Sequence, residues 1–181
     1  MKNFILLLIP IFFFASCKTL VPFTTELKQE NDWSENELKQ IQFYLSNSIT
    51  LHRQLNESQT AIVSGKIKTV NGKKVEEIYI KKGTPGVVTK MSGFNVLGKK
   101  SMGVSFEIDD SHFLTFGSYE KRGGKYFLML REFKKGKWAK VSYVDTEFYI
   151  SPESLSAFLQ INMKKIQKEE RKQRVAGGRK L

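Results

Sequence analysis

The sequence predicts an α+β fold, namely an antiparallel β-rich roll or small barrel of seven to eight short strands, flanked by an N-terminal and a C-terminal helix. Three observations lead to this prediction. Apolar and polar residues alternate in short runs through the middle of the chain. Turn sequences separate these runs, and Asn71-Gly72 is the strongest hairpin signal among them. Phe and Tyr, which favour strands, are frequent in the chain.

The predicted strands follow one another closely. Two of them flank Asn71-Gly72, and a third follows the Gly83-Thr84-Pro85-Gly86 turn. In chain order the strand segments cover residues 61–70, 75–81, 87–91, 104–108, 112–118, 126–133, 138–144 and 147–150. Short strands joined by tight turns favour antiparallel pairing.

A helix is predicted at each side of the strand region. Ser34 and Glu37 form a capping-box pattern, and Leu38, Ile41 and Leu45 follow at helical spacing, so the first helix is expected from Ser34 to Ser46.

The second helix is expected from Ser151, because Ser151 can cap and Pro152 suits the first helical position. Its apolar stripe, expected to cover one face of the sheet, consists of Leu155, Phe158, Leu159 and Ile166.

The first residues have the layout of a secretory signal. Lys2 is basic, residues 4–14 are apolar, and Ala15 and Ser16 are small. A helix of about eleven residues would cover roughly half of a ~30 Å hydrocarbon core, which is too short for a permanent membrane span.

The stretch Phe14-Ala15-Ser16-Cys17 resembles the lipobox of bacterial lipoproteins, although Phe14 stands where Leu is common. The resemblance covers only these first seventeen residues. It implies that the Cys17 thiol takes a diacylglycerol, that the signal is cleaved just before Cys17, and that the new N-terminus is acylated, so that these acyl chains attach the protein to a membrane. Cys17 is the only cysteine in the chain. By analogy, Lys18 in place of Asp favours the outer membrane, and the lack of an acidic cluster after Cys17 favours its periplasmic face.

Four segments are therefore expected along the chain. Residues 1–16 are the signal peptide, 17–32 the lipidated cysteine with a tether, 33–166 a single α+β domain, and 167–181 a basic disordered tail that has little to bury.

The sequence contains no motif for catalysis, metal binding or cofactor binding. His52 and His112 stand far apart and without further ligands at metal-binding spacing, so both are expected to be ordinary strand residues. Asp109-Asp110 is expected to form a turn, and the glycine–lysine stretches match no phosphate loop. An enzyme, as an alternative, would be an envelope-polymer hydrolase with a site assembled from scattered residues.

Positive charge concentrates in five turns and the C-terminal segment. The formal net charge is +12, and residues 164–181 contribute eight basic and two acidic residues. The candidate contacts for an anionic partner are Lys73, Lys74, Lys99, Lys100, Lys121, Arg122, Lys125, Lys134, Lys135, Lys137, Lys168, Arg171, Lys172 and Arg174. The alternative is that lysines in turns only keep the protein soluble and prevent strand edges from pairing.

The sequence thus favours a non-enzymatic outer-membrane lipoprotein that acts as a structural or assembly component of a bacterial envelope complex of the secretion or motility type. This choice of complex is an analogy at the level of the lipoprotein class. The expected partners are envelope proteins and anionic lipid or lipopolysaccharide, while nucleic acid is the least available partner outside the cytoplasm. The alternative function is a periplasmic binding module for envelope glycan, peptidoglycan or lipopolysaccharide.

Overall fold

A computed structural model describes residues 20–55, 66–70, 72–94, 100–134 and 138–170 of the chain. Within these residues the chain forms thirteen strands: β1 (Leu20–Pro22), β2 (Phe43–Leu45), β3 (Ile49–Gln54), β4 (Lys66–Val70), β5 (Lys73–Ile80), β6 (Pro85–Phe94), β7 (Lys100–Ser105), β8 (Phe113–Tyr119), β9 (Lys125–Leu128), β10 (Glu132–Lys134), β11 (Trp138–Tyr143), β12 (Thr146–Ile150) and β13 (Leu159–Asn162). The helices there are α1 (Thr25–Glu30), α2 (Glu35–Gln40) and α3 (Met163–Glu170), with 3-10 helices at Glu120–Arg122 and Pro152–Ser156.

The strands form two antiparallel sheets. The seven-stranded sheet has the order β1-β13-β2-β6-β7-β8-β9, and the six-stranded sheet has the order β10-β11-β12-β3-β5-β4. The antiparallel β-rich class predicted from the sequence is confirmed. The small barrel is not confirmed, because the strand ladders of the described residues leave both sheets open. Two isolated bridges, Thr24 with Lys125 and Phe127 with Phe158, connect β9 to the other side of its sheet.

One hydrophobic core lies between the two sheets. Alternation along each strand points every second side chain inward, as in β5, where Glu76, Ile78 and Ile80 are buried. Leu51 and Val141 of the six-stranded sheet belong to the same buried cluster as the residues of the seven-stranded sheet. The core therefore fixes both sheets in one unit.

Residues 20–32, which the sequence predicts as part of a tether, are folded into this unit. Phe23 is fully buried, and its ring packs on Phe43 and Tyr126 with centroids 5.1 and 4.7 Å apart. Its backbone N–H donates to the carbonyl of Leu159 over 2.9 Å. A three-residue strand followed by one buried aromatic gives too short a periodic signal to be recognised in the sequence.

The predicted helix at 34–46 is shorter than expected. Its start is right, because Ser34 and Glu37 form the capping box. The helix ends at Gln40, however, and residues 43–45 form β2 between β13 and β6. All three residues of β2 are buried, which a helix with one apolar face could not achieve.

The structure has three separate elements where the sequence predicts one C-terminal helix. Residues from Ser151 start a 3-10 helix, β13 follows, and only Met163–Glu170 is α-helical, four residues beyond the predicted end of the domain. Leu159 is fully buried in β13, where it pairs with Leu45, so strand pairing rather than a helical stripe buries it.

The hairpin predicted at Asn71-Gly72 is present. Val70 pairs with Lys73 across Asn71-Gly72, and Gly72 has the positive φ of 74° that favours glycine. The segment 126–133 divides, with β9 in the seven-stranded and β10 in the six-stranded sheet. The strand predicted at 104–108 ends at Ser105, so Phe106 and Ile108 lie in the loop before β8.

Replacing Phe23 tests whether the first folded segment belongs to the core. We expect Phe23→Ala to lower the free energy of unfolding by about 3–5 kcal/mol, because it removes a buried ring and leaves a cavity. Urea denaturation of the variant measures this change. Phe133→Ala is the matched control, since Phe133 is 57% exposed on β10. Equal stability of the two variants would contradict the folded position of residues 20–32.

Candidate functional site

Strand direction places several basic segments at one end of the seven-stranded sheet. Leu20 starts β1 and pairs with Asn162, the residue after which α3 begins. Because neighbouring strands run in opposite directions, the start of β7 and the β8–β9 turn lie at this same end. We name it the basic end, consisting of Leu20, Asn162–Lys165, Lys100 and residues 121–125.

The β8–β9 turn contains three of the predicted anion contacts. Lys121 and Arg122 are exposed, and Lys125 is half-buried. The Arg122 guanidinium lies 3.4 Å from the centroid of the Phe127 ring, and Lys125 Nζ lies 5.1 Å from that of Phe158. Arg122 and Lys125 thus cover aromatic rings, and the exposed ammonium of Lys121 is the one best placed to meet an anion.

The other predicted anion contacts do not share one surface. Lys73 and Lys74 start β5 at one end of the six-stranded sheet, whereas Lys134 ends β10 at the opposite end. Lys168 lies in α3. The predicted residues outside the described part of the chain are Cys17, Lys99, Lys135, Lys137, Arg171, Lys172 and Arg174. The single positive rim is therefore present only in part.

The opposite end of the same sheet carries the β7–β8 loop, residues 106–112, which we name the acidic loop. Ile108 in this loop is fully exposed. Glu107, Asp109 and Asp110 surround it in sequence and are exposed as well. Lys81 and Lys82 also lie at this end, so the negative charge belongs to the loop rather than to the whole end.

Hydrogen bonds hold the acidic loop in one conformation. The buried hydroxyl of Ser105 accepts from the backbone N–H of Glu107 and lies 3.0 Å from the carbonyl of Asp109. The backbone N–H of Ser111 donates to Asp109 Oδ1 over 2.8 Å, which holds the pKa of Asp109 below its usual value. The turn predicted at Asp109-Asp110-Ser111 is present.

A cluster of three side chains ties the loop to the six-stranded sheet. The Tyr143 hydroxyl on β11 donates to Glu107 Oε1 over 2.6 Å. Nδ1 of His112 lies within hydrogen-bond distance of the same carboxylate, 2.6 Å from Glu107 Oε2. His112 Nε2 lies 3.9 Å from Asp109 Oδ2. His112 is therefore a loop residue with two carboxylates beside it, not the ordinary strand residue expected.

The geometry of this cluster suits a structural brace. Both carboxylate oxygens of Glu107 already have a partner, and Tyr143 is only 1% exposed. Burial, and next the hydrogen bond to Glu107, raise the pKa of Tyr143 above its ordinary value of 10. A neutral, buried phenol is a stable hydrogen-bond donor. The sequence gives no sign of this cluster, because Glu107 and Tyr143 are 36 residues apart.

A buried ion pair supports the six-stranded sheet. Arg53 Nε donates to Glu76 Oε2 over 2.5 Å, and the two residues lie opposite each other on β3 and β5. The guanidinium of Arg53 also lies 5.2 Å from the Phe148 ring centroid. Because Glu76 is buried and paired, its charge is compensated within the fold.

The outer face of the six-stranded sheet presents a second exposed surface. Tyr79 on β5 and Tyr149 on β12 are 60% and 44% exposed. His52 on β3 pairs with Tyr149 and also with Glu77, so the two tyrosines lie on one face, one strand apart. We name this surface, consisting of His52, Tyr79 and Tyr149, the tyrosine face.

Comparison with known proteins assigns no relative: no family model, no curated protein and no solved structure matches the chain. In the part of the chain that the structure describes, no three His, Cys, Asp or Glu side chains group closely enough to hold a metal ion. Nor is any described helix long and apolar enough to cross a membrane.

The brace predicts a dependence of stability on alkaline pH. The folded-state pKa of Tyr143 lies above its unfolded value, so its contribution is complete below about pH 10 and is lost as the pH rises further. We expect Tyr143→Phe to cost about 1–2 kcal/mol at neutral pH, with the difference from the wild type shrinking above about pH 10.

Urea denaturation from neutral to alkaline pH measures this difference. Tyr149→Phe is the control, because that side chain is 44% exposed and should leave the alkaline loss of stability as it is in the wild type. A constant difference between Tyr143→Phe and the wild type at all pH values would contradict the raised pKa.

Proposed function

We propose that the protein is a lipid-anchored outer-membrane protein, facing the periplasm, that acts as a non-enzymatic structural or assembly component of a bacterial envelope complex. The observation that carries this proposal is the acidic loop, a braced loop that exposes Ile108 at the end of the sheet opposite the N-terminal strand. The lipobox-like stretch before Cys17 supplies the proposed anchor.

The folded position of β1 supports a closely held domain. Only residues 18 and 19 separate Cys17 from Leu20. Three residue steps span at most about 11 Å, so acyl chains on Cys17 would keep the start of β1 near the headgroups. The long tether expected from the sequence is replaced by a short link, which suits a component that must present a surface at a fixed height.

The acidic loop has the features of a protein-binding anchor. A single exposed apolar side chain costs little by itself, but Ile108 is held in place by the Ser105 and Glu107 hydrogen bonds. Pre-organisation of this kind reduces the ordering cost of association. The charges around Ile108 favour a partner whose apolar pocket has a basic rim.

The anchor is tested by Cys17→Ala. We expect the wild type to incorporate labelled palmitate and to sediment with membranes, and the variant to lose both properties because it has no thiol to take the diacylglycerol. Membrane fractionation and mass spectrometry of the mature N-terminus measure this. Unchanged membrane association of Cys17→Ala without acylation would contradict the anchor.

The partner surface is tested by Ile108→Ser. We expect proteins that cross-link to the wild type in intact cells, and co-purify from solubilised membranes, to be lost or weakened about tenfold or more, as for a truncated interface anchor. Ile67→Ser is the control, because Ile67 is an exposed apolar residue of β4 in the other sheet.

The partner identified by cross-linking is then purified. Its affinity for the wild type, Ile108→Ser and Ile67→Ser is then measured directly. Equal affinities for all three proteins would remove the acidic loop as the binding surface, and a wild type that purifies alone would count against the assembly function.

A second candidate function is a periplasmic binding module for envelope glycan, peptidoglycan or lipopolysaccharide. The tyrosine face favours it, because exposed aromatic rings on a sheet can stack on sugar rings. Co-sedimentation with purified peptidoglycan that is lost in Tyr79→Ala with Tyr149→Ala, yet kept in Ile108→Ser, would favour this module over the assembly component.

A further inference from the structure

We infer that the basic end docks on anionic phospholipid headgroups of the leaflet that holds Cys17, so that the domain stands on the membrane in one orientation. The inference rests on the lipid anchor proposed above and adds what it leaves open, namely which surface meets the membrane.

Strand pairing places the start of α3 beside the proposed anchor. Leu20 is paired with Asn162, and α3 starts at the next residue. Met163 and Ile166 of α3 pack against the core, which leaves Lys164 and Lys165 exposed. A membrane within about 11 Å of Leu20 therefore lies within reach of these lysines.

All charged residues that define the basic end are basic. Lys121 is exposed in the β8–β9 turn, and Lys164 and Lys165 are exposed at the start of α3. Glu120 is the acidic residue of the β8–β9 turn. An anionic leaflet attracts such a surface, and each basic residue at the headgroups raises the docked population about fivefold.

The anchor makes weak docking sufficient. A domain attached through a short link experiences its own membrane at an effective concentration of about millimolar or more. A few lysines then determine orientation, although they would bind vesicles poorly as an isolated surface. Phospholipid is the source we assign, since it forms the periplasmic leaflet that the proposed localisation implies.

The test uses the acylated protein reconstituted in vesicles. Acyl chains occupy Cys17, the only cysteine, so an introduced cysteine is the only reactive thiol. Gln167→Cys labels the basic end and Asp110→Cys labels the acidic loop; both positions are exposed. A quencher attached to lipid headgroups reports which label lies at the membrane.

Two vesicle compositions are compared, phosphatidylcholine alone and phosphatidylcholine with phosphatidylglycerol. We expect phosphatidylglycerol to raise the docked-to-undocked ratio at Gln167→Cys about fivefold per engaged basic residue, with little change at Asp110→Cys. Salt at about 1 M should reverse the increase, because it shortens the screening length to about 3 Å.

Charge-reversed pairs separate a local surface from net charge. Lys121→Glu with Lys164→Glu alters the basic end, and Lys81→Glu with Lys82→Glu makes the same change in charge at the opposite end. We expect only the first pair to abolish the effect of phosphatidylglycerol. Equal effects of the two pairs would overturn a defined docking surface.

Other outcomes of the quenching experiment would also overturn the inference. A third vesicle type contains lipopolysaccharide in place of phosphatidylglycerol. Equal quenching in both phospholipid vesicle types, equal quenching of both labels, or an increase in quenching only with lipopolysaccharide would each overturn phospholipid docking. Mass spectrometry of Cys17 separates this failure from that of the proposed function: an acylated protein that does not dock overturns the inference alone, whereas a protein without acyl chains overturns the anchor as well.

Discussion

The burial of Phe23 determines where the chain enters the fold. Its ring contacts Phe43 and Tyr126, residues of β2 and β9, while its backbone N–H bonds to Leu159 next to it. One residue thus holds β1 against β13 and connects the two edges of the seven-stranded sheet. Without this contact, residues 20–22 would have only three backbone pairs to keep them in place, too few to offset the entropy of ordering a terminal segment.

The position of β1 also determines which segments lie near Leu20. In an antiparallel sheet, alternate strand ends must lie on the same side, so the start of α3 and the β8–β9 turn accompany Leu20, while the acidic loop is on the other side. The separation of a basic end from an acidic loop is therefore a consequence of strand order. It requires no contact between the charges themselves.

The sequence predicts structure correctly where the conformation of a residue depends on its immediate neighbours in the chain. Gly72 marks a hairpin because its φ of 74° is available to glycine at little cost, and Ser34 marks a helix start because its hydroxyl accepts from the third backbone N–H. The predictions are wrong where the conformation of a residue depends on partners far away in the sequence. Leu45 fits helical spacing equally well, and only its pairing with Leu159, far along the chain, makes it a strand residue. The same holds for Glu107 and Tyr143, whose hydrogen bond gives no periodic signal.

The brace on the acidic loop links the two sheets to the proposed function. Ser105, the last residue of β7, orders the loop backbone, and Tyr143 of the six-stranded sheet orders the Glu107 side chain. The position of Ile108 therefore follows the packing of both sheets, and a disturbance of either would move it. β7 is six residues long, which places the loop roughly 20 Å from the basic end along the strand. If the basic end rests on the membrane, the fold acts as a rigid spacer that presents Ile108 at a fixed distance from it, whereas a flexible tether of the length expected from the sequence would allow a range of distances.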